Sequence, residues 1–209
     1  MTALPPHYWE EAKAHLMKRD RILRKLIPAY AQESLHPSPE PFTTLVRSIV
    51  AQQVSQKTAK KVWQRFLTRF QHQATPQDVL AVELEELRQL GLPKRKVEYI
   101  IDLAQHFDQE KVDPNAWQEM EDEAIIKELC AIRGIGRWTA EMFLIFNLRR
   151  SDVLPLDDAG LIRAISQHYF SGEPVSRFEA REVAQAWTPW CTVATWYLWR
   201  SLEPVVESD

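Results

Sequence analysis

The stretch Leu129-Cys130-Ala131-Ile132-Arg133-Gly134-Ile135-Gly136-Arg137-Trp138-Thr139-Ala140 decides how the rest of this chain is read. An apolar helical pattern runs into Gly-Ile-Gly and straight on into a second helical pattern. Two glycines around one aliphatic residue make a tight turn whose backbone amides can converge on an anion at a helix N-terminus. No glycine side chain keeps a phosphate oxygen away from those amides. Taken alone, Gly-x-Gly is better read as a tight link between packed helices, so its surroundings have to decide.

About twenty residues downstream, Val153-Leu154-Pro155-Leu156 leads into Asp157-Asp158-Ala159-Gly160-Leu161-Ile162-Arg163. The Pro-containing approach is extended, and it ends at two carboxylates poised at a helix start. One of them is expected to act as a helix cap, the ordinary use of Asp at this place. Two adjacent acids exceed what one cap requires, which leaves the second for other work.

Composition narrows the setting. The chain has 209 residues with only 5 Gly, which argues against the many tight turns of an all-β sandwich or barrel. Three of the five, Gly134, Gly136 and Gly160, fall within the segments just quoted. Cys130 and Cys191 are too few for a disulfide framework, a four-thiolate zinc site or an iron–sulfur cluster, and the six histidines show no metal-ligand spacing. No apolar run approaches a membrane span and the N-terminus lacks the order of a signal peptide, so an intracellular, cytoplasmic protein without a membrane partner is expected. Net charge is −3, yet residues 41–70 carry six basic side chains (Arg47, Lys57, Lys60, Lys61, Arg65, Arg69) and no acid. Lys94, Arg95 and Lys96 follow, and Arg133, Arg137, Arg149 and Arg150 surround the glycines. Each run alone reads as a solvated helix face. Their coincidence with the glycine pair favours a local basic face for a phosphate backbone.

Helical periodicity dominates the rest. An amphipathic pattern runs from Tyr8 to Ile27 before Pro28, and the proline-rich 32–41 segment reads as a linker. Phe42, Leu45, Val46, Ile49 and Val50 share one helical face, and Ser55 is placed to cap a helix carrying Ala59, Val62, Trp63 and Phe66 inward. Thr75-Pro76-Gln77-Asp78 and Ser176-Arg177-Phe178-Glu179 read as helix starts, and Gly91 as a C-terminal stop. A last helix is expected from Thr188-Pro189 through Trp190, Trp196 and Trp199. The sum is an all-α chain of roughly nine or ten helices. Its expected organisation is an N-terminal helix and linker over residues 1–37, a core over 38–204 and a short tail over 205–209.

The combination of Gly-Ile-Gly-x-x-Thr-Ala with Leu-Pro-x-Asp-Asp resembles the helix-hairpin-helix DNA glycosylase superfamily. Ala51-Gln52-Gln53-Val54-Ser55, Gly-Ile-Gly-Arg-Trp-Thr-Ala and the terminal Trp-x-Pro-Trp…Trp look like its 3-methyladenine DNA glycosylase II family. The resemblance runs from about Pro41 to Glu203 and implies a two-lobed helical fold with a DNA-binding cleft between the lobes. It implies double-stranded DNA containing alkylated bases as the partner, a monomer as the working form, and hydrolysis of the N-glycosidic bond after base flipping. Asp158 matches the catalytic aspartate and Asp157 its less critical neighbour. Trp138 and Trp199 match pocket aromatics, and Met142 stands where a second aromatic can occur. Gln53 sits where a wedge residue fills the gap left by the flipped base. Gln52, Arg133, Gly134, Ile135, Gly136, Arg137 and Thr139 are expected beside the DNA backbone, Arg133 replacing the hairpin's usual proline. No cofactor is implied for catalysis. The backbone carbonyls of Cys130, Ile132 and Ile135 would hold a structural Na⁺ or K⁺. Residues 1–37 are expected to hold only a helix and a linker, without the β-rich domain of larger members.

Chemistry of the residue types supports a hydrolase. Alkylation at purine N3 or N7 makes the base cationic and a good leaving group, so a carboxylate that stabilises the sugar cation and orients water suffices. Electron-rich aromatic faces suit a cationic base, at roughly 0.5–2 kcal/mol per contact. In lyase-type relatives a lysine occupies the position of Trp138; an indole cannot form a Schiff base, so strand cleavage by that route is not expected. Trp63, Trp187, Trp190 and Trp196 are expected in the core. Two other readings keep the same sequence features: a non-catalytic DNA-binding module, and a glycosylase for neutral lesions such as hypoxanthine or ethenoadenine.

Overall fold

The computed structural model describes residues 4–36 and 40–202. Among them every regular element is helical: twelve α-helices and one 3₁₀ turn, Ala116–Gln118, with no strand. None is long and apolar enough to cross a membrane. The chain divides into two compact units, one of residues 1–37 with 144–209 and one of residues 38–143.

The first unit contains α1 (Trp9–Arg19), α2 (Leu23–Ala29), α10 (Ala159–Tyr169), α11 (Arg177–Ala184) and α12 (Cys191–Arg200). Helix α12 is buried along eight successive residues, Cys191 to Leu198, and packs against α1, α2 and α10. Trp9, Leu16, Ile27, Leu161, Trp187 and Tyr197 fill the core. The amphipathic pattern expected to run from Tyr8 to Ile27 is broken at Asp20, whose extended backbone ends α1. Asp20 is buried, and its carboxylate accepts the Ile22 and Leu23 amides at 2.8 and 3.0 Å on one oxygen. The other oxygen accepts the Tyr169 hydroxyl and the Trp187 indole at 2.7 and 2.9 Å. A buried carboxylate needs such a set of donors, and satisfying them costs the long helix its continuity. Pro28, expected beyond the helix, lies in the last turn of α2. The Tyr8 hydroxyl donates to the Arg149 carbonyl, and burial pushes its pKa up to about 12.

The second unit contains α3 (Pro41–Ala51), α4 (Gln56–Arg69), α5 (Pro76–Leu80), α6 (Leu84–Gln89), α7 (Lys94–Asp108), α8 (Asp122–Cys130) and most of α9 (Arg137–Phe146). Helix α7 packs on α3, α5 and α6, and α3 also on α4. The predicted face of α3 is buried from Phe42 to Val50, and Ser55 caps α4 by accepting the Thr58 amide. Phe42, Phe107, Trp117 and Phe143 form an edge-to-face chain of rings with centroids 5.1–6.1 Å apart. Capping boxes start α5 at Thr75 and α11 at Ser176, as the sequence predicts.

Other expectations are corrected. The helix ending at Gly91 is two, because Glu83 reverts to extended backbone before α6. Gly91 itself has φ +97°, the stop position expected of it. The last helix begins at Cys191, not at Pro189, with Trp190 outside it. Of the four core tryptophans, Trp187 and Trp196 are buried, while Trp63 and Trp190 are half-exposed. Trp63 stacks on Phe66 and lines a surface hollow of about 660 Å³. The tail at 205–209 and part of the linker, 37–39, lie outside the described residues.

Candidate functional site

In the second unit the chain leaves α8 at Cys130 and re-enters a helix at Arg137. Ile132 and Ile135 are buried and anchor the connection, and the Ile135 amide donates to the Ile132 carbonyl at 3.1 Å. The two glycines do different work. Gly134 has φ +87°, and a Cβ there would lie 2.2 Å from Cδ2 of Tyr99, so a ring fills the space that a side chain would need. A Cβ on Gly136 would meet nothing within 4 Å, so this glycine leaves open room in front of the amides that start α9.

Polar groups hold the hairpin from behind. The Arg133 amide donates to Oδ2 of Asp102 at 2.8 Å, and the Arg133 guanidinium lies 3.5 Å from Oδ1. The Gln52 side-chain amide donates to the Gly134 carbonyl at 2.7 Å. Lys96 donates to the Val50 and Gln52 carbonyls, both at 2.7 Å, and burial holds its pKa below the usual lysine range. Gln52, Gln53, Arg95, Lys96, Tyr99 and the Gly134–Gly136 turn together line a hollow of about 370 Å³. Gln53 is exposed at its edge with φ +54°.

The remaining predicted residues of this unit are distributed differently. Trp138 is 44 % exposed, Met142 is half-buried and Thr139 is buried. Arg137 is committed to Glu123 and to Glu141, the latter at 3.0 Å, and these carboxylates raise its already high pKa further. Among the described residues no group of three or more His, Cys, Asp or Glu side chains could hold a metal ion.

The paired aspartates lie in the first unit and diverge. The approach to them is held by the Val153 amide donating to the Thr192 hydroxyl at 3.0 Å and the Cys191 amide donating to Asp152 at 3.1 Å. Asp157 is exposed and forms an ion pair with Arg177 of α11. Asp158 is the N-cap of α10: its Oδ1 accepts the Leu161 amide at 2.6 Å and the Trp199 indole N–H at 2.7 Å. The division expected from sequence, one acid to cap and the other for chemistry, is therefore not observed. The residue matched to chemistry is itself the cap, because one carboxylate oxygen can accept two donors. Gly160 makes this possible, since a Cβ there would stand 3.0 Å from Asp158 Oδ1 and 3.3 Å from the Trp199 ring. Phe146 stacks on that indole, with ring centroids 5.9 Å apart and planes 10° from parallel. Trp199, expected as a pocket aromatic, is seen here to hold the carboxylate.

A family model described as HhH-GPD superfamily base excision DNA repair protein matches residues 46–189. The chain belongs to that superfamily. Its all-helical architecture is that of solved HhH-GPD structures. It is similar to a DNA-3-methyladenine glycosidase from Bacillus halodurans, with 35 % identity and a TM-score of 0.81 over 91 % of this chain and 88 % of that one. It is also similar to the Schizosaccharomyces pombe 3-methyladenine DNA glycosylase solved with abasic DNA, with 26 % identity and a TM-score of 0.82 over 95 % of this chain and all of that one. A putative DNA-3-methyladenine glycosylase of Bacillus subtilis is 31 % identical over 78 % of this chain, which spans 59 % of that relative's length.

Tyr99, Asp102 and the clamp made by Lys96 were not singled out as site residues from sequence. The Lys94-Arg95-Lys96 run was visible, but only as charge. Tyr99 and Asp102 follow Arg95 at four and seven residues, the spacing of one face of α7, and that periodicity was the available signal.

Proposed function

We propose that this HhH-GPD protein is a monofunctional DNA glycosylase of base excision repair. It flips alkylated purines such as 3-methyladenine and 7-methylguanine out of duplex DNA and hydrolyses their N-glycosidic bond, acting as a monomer. The observation that carries the reading is Asp158, a helix-capping carboxylate with Trp199's indole N–H on the same oxygen. Those two donors fix its direction at the N-terminus of α10. Next to the anomeric carbon, such a carboxylate offsets the positive charge that develops on the sugar as the base departs. It also orients the water that adds to that carbon and receives its proton. The cationic base leaves with the bonding electrons and needs no strong acid. Trp138, exposed and carrying no amine, offers a face for such a base and no route to a Schiff base.

On the DNA side, the open backbone at Gly136 and the start of α9 suit a phosphate oxygen. Gln53, at the exposed edge of the same hollow, is the candidate to fill the gap in the duplex. The carbonyls of Cys130, Ile132 and Ile135 would hold the expected Na⁺ or K⁺. Neutral carbonyl oxygens at the last residue of α8 and in the turn that follows it are a donor set that suits a hard monovalent cation. Such an ion would supply positive charge beside the phosphate.

Asp158→Asn tests the assignment. Asn caps helices as well as Asp does, so the fold and DNA affinity are expected to stay while release of methylated purine from alkylated duplex is lost. Unchanged release by Asp158→Asn would take the chemistry away from Asp158. Failure of the wild type to release any alkylated or deaminated base would end the enzyme reading. Comparing 3-methyladenine with hypoxanthine substrates separates an alkylpurine enzyme from one for neutral lesions.

A further inference from the structure

The α3–α4 loop, which carries Gln53, is tied down by a side chain from a third helix. Helix α3 ends with the carbonyls of its last turn lacking partners of the next turn, a position where the helix dipole favours a cation. Lys96 of α7 takes that place, donating to the Val50 carbonyl and the Gln52 carbonyl at 2.7 Å each. With its main chain held there, Gln52 extends its side-chain amide to the Gly134 carbonyl at 2.7 Å. Gly134 is itself wedged against the Tyr99 ring, one helical turn along α7 from Lys96. The residue after Gln52, Gln53, sits at φ +54°, a conformation that a non-glycine residue keeps only where its neighbours impose it. With the Arg133 amide donating to Asp102 of α7 at 2.8 Å, loop, hairpin and α7 are closed into one ring of hydrogen bonds.

We infer that Lys96 is a positioning residue for base flipping: its ammonium locks the Gln53 loop to the hairpin, so that the residue entering the duplex is held at a fixed offset from the phosphate seated at Gly136. The inference rests on the glycosylase reading above. A loop free to move would bind DNA equally well but would lose orientation at the moment of insertion, when a small misplacement is costly.

The test is Lys96→Met, which keeps the stem and removes the donors, with Lys96→Arg as the conservative variant. Flipping is followed by stopped-flow fluorescence of 2-aminopurine placed beside the lesion. Excision is followed under single-turnover conditions, on the intact duplex and on a duplex whose lesion has no opposing base. Lys96→Met is expected to flip and excise about tenfold more slowly on the intact duplex, the scale of a lost charged hydrogen bond. Its rate on the unopposed lesion, its DNA affinity and the salt dependence of that affinity should match wild type, and Lys96→Arg should recover most of the loss. Equal slowing on both substrates would overturn the inference. So would a salt slope shallower by about one unit, the mark of a lysine that binds phosphate directly. If Lys96→Met loses its helical circular dichroism, Lys96→Gln, which keeps a polar group at this half-buried position, carries the same comparison. A wild type that flips 2-aminopurine-marked lesions without excising them would count against the glycosylase reading and leave the flipping comparison intact.

Discussion

Two glycines separated by one isoleucine have opposite reasons to be glycine. At Gly134 the backbone is left-handed and the Tyr99 ring occupies the Cβ direction, so the requirement is internal to the fold. At Gly136 neither constraint applies, and the empty space faces outward. Gly134→Ala is accordingly expected to lower stability by about 1–3 kcal/mol, measured by urea denaturation. Gly136→Ala should leave stability within about 0.5 kcal/mol, since the added methyl meets nothing, and should weaken DNA binding instead. If the two substitutions had equal effects on stability, the division of labour would be wrong. The same scale separates the aspartates. Both are legible in sequence as a helix start, but the cap, the indole contact and the proposed chemistry converge on Asp158, while Asp157 is tied to Arg177.

Elements in this chain start where short-range chemistry says they should. Ser55, Thr75 and Ser176 were all legible as caps because a capping hydrogen bond spans three residues and is written in consecutive letters. The same local bonds shape the acid response. Hydrogen bonds from Ser176 and Thr75 hold the Glu179 and Asp78 carboxyls below their usual pKa values, and the Arg137 guanidinium does so for Glu123. A carboxyl whose folded pKa is depressed is protonated first in the unfolded chain. Its contribution is therefore complete above the ordinary Glu value of 4.5, and is lost as pH falls through the lower folded value. Glu179→Gln, which removes one such titration while keeping an acceptor, should show a smaller drop in Tm between about pH 5 and about pH 3 than wild type. An unchanged drop would mean that the α11 capping box does not contribute to acid sensitivity. Where an element boundary depends on a distant partner, sequence misplaced it. The break at Asp20 answers to Tyr169 and Trp187, 149 and 167 residues away.

For the molecule as a whole, a net charge of −3 conceals the arrangement that matters. Residues 41–70 form the α3–α4 region without a single acid, and Arg95 lines the hollow beside the hairpin. Several cations are already engaged: Arg69 pairs with Glu86, Lys96 with the Val50 and Gln52 carbonyls, Arg137 with Glu123 and Glu141, and Arg200 with Glu33. A phosphate-dominated interface built from the rest predicts that log affinity for duplex DNA falls linearly with log salt, by about 0.9 per phosphate contact. A titration from low to physiological salt should give a slope steeper than about −3; an affinity indifferent to salt would remove the basic face from the account.

By itself, the sequence determined that the chain is helical, where most helices begin, that a glycine hairpin links two of them, and that paired aspartates follow an extended proline segment. Each of these is encoded within a few residues, through periodicity, capping bonds or turn chemistry. Tertiary structure alone decided which aspartate receives the indole of Trp199, 41 residues away, and which glycine lies under Tyr99. It also decided that Lys96 closes the end of α3, more than forty residues earlier in the chain. The physical reason is one of range. A local pattern reports the torsions and the buried face of its own segment, whereas these contacts form only when helices remote in sequence pack and bring their unpaired donors and acceptors within hydrogen-bonding distance.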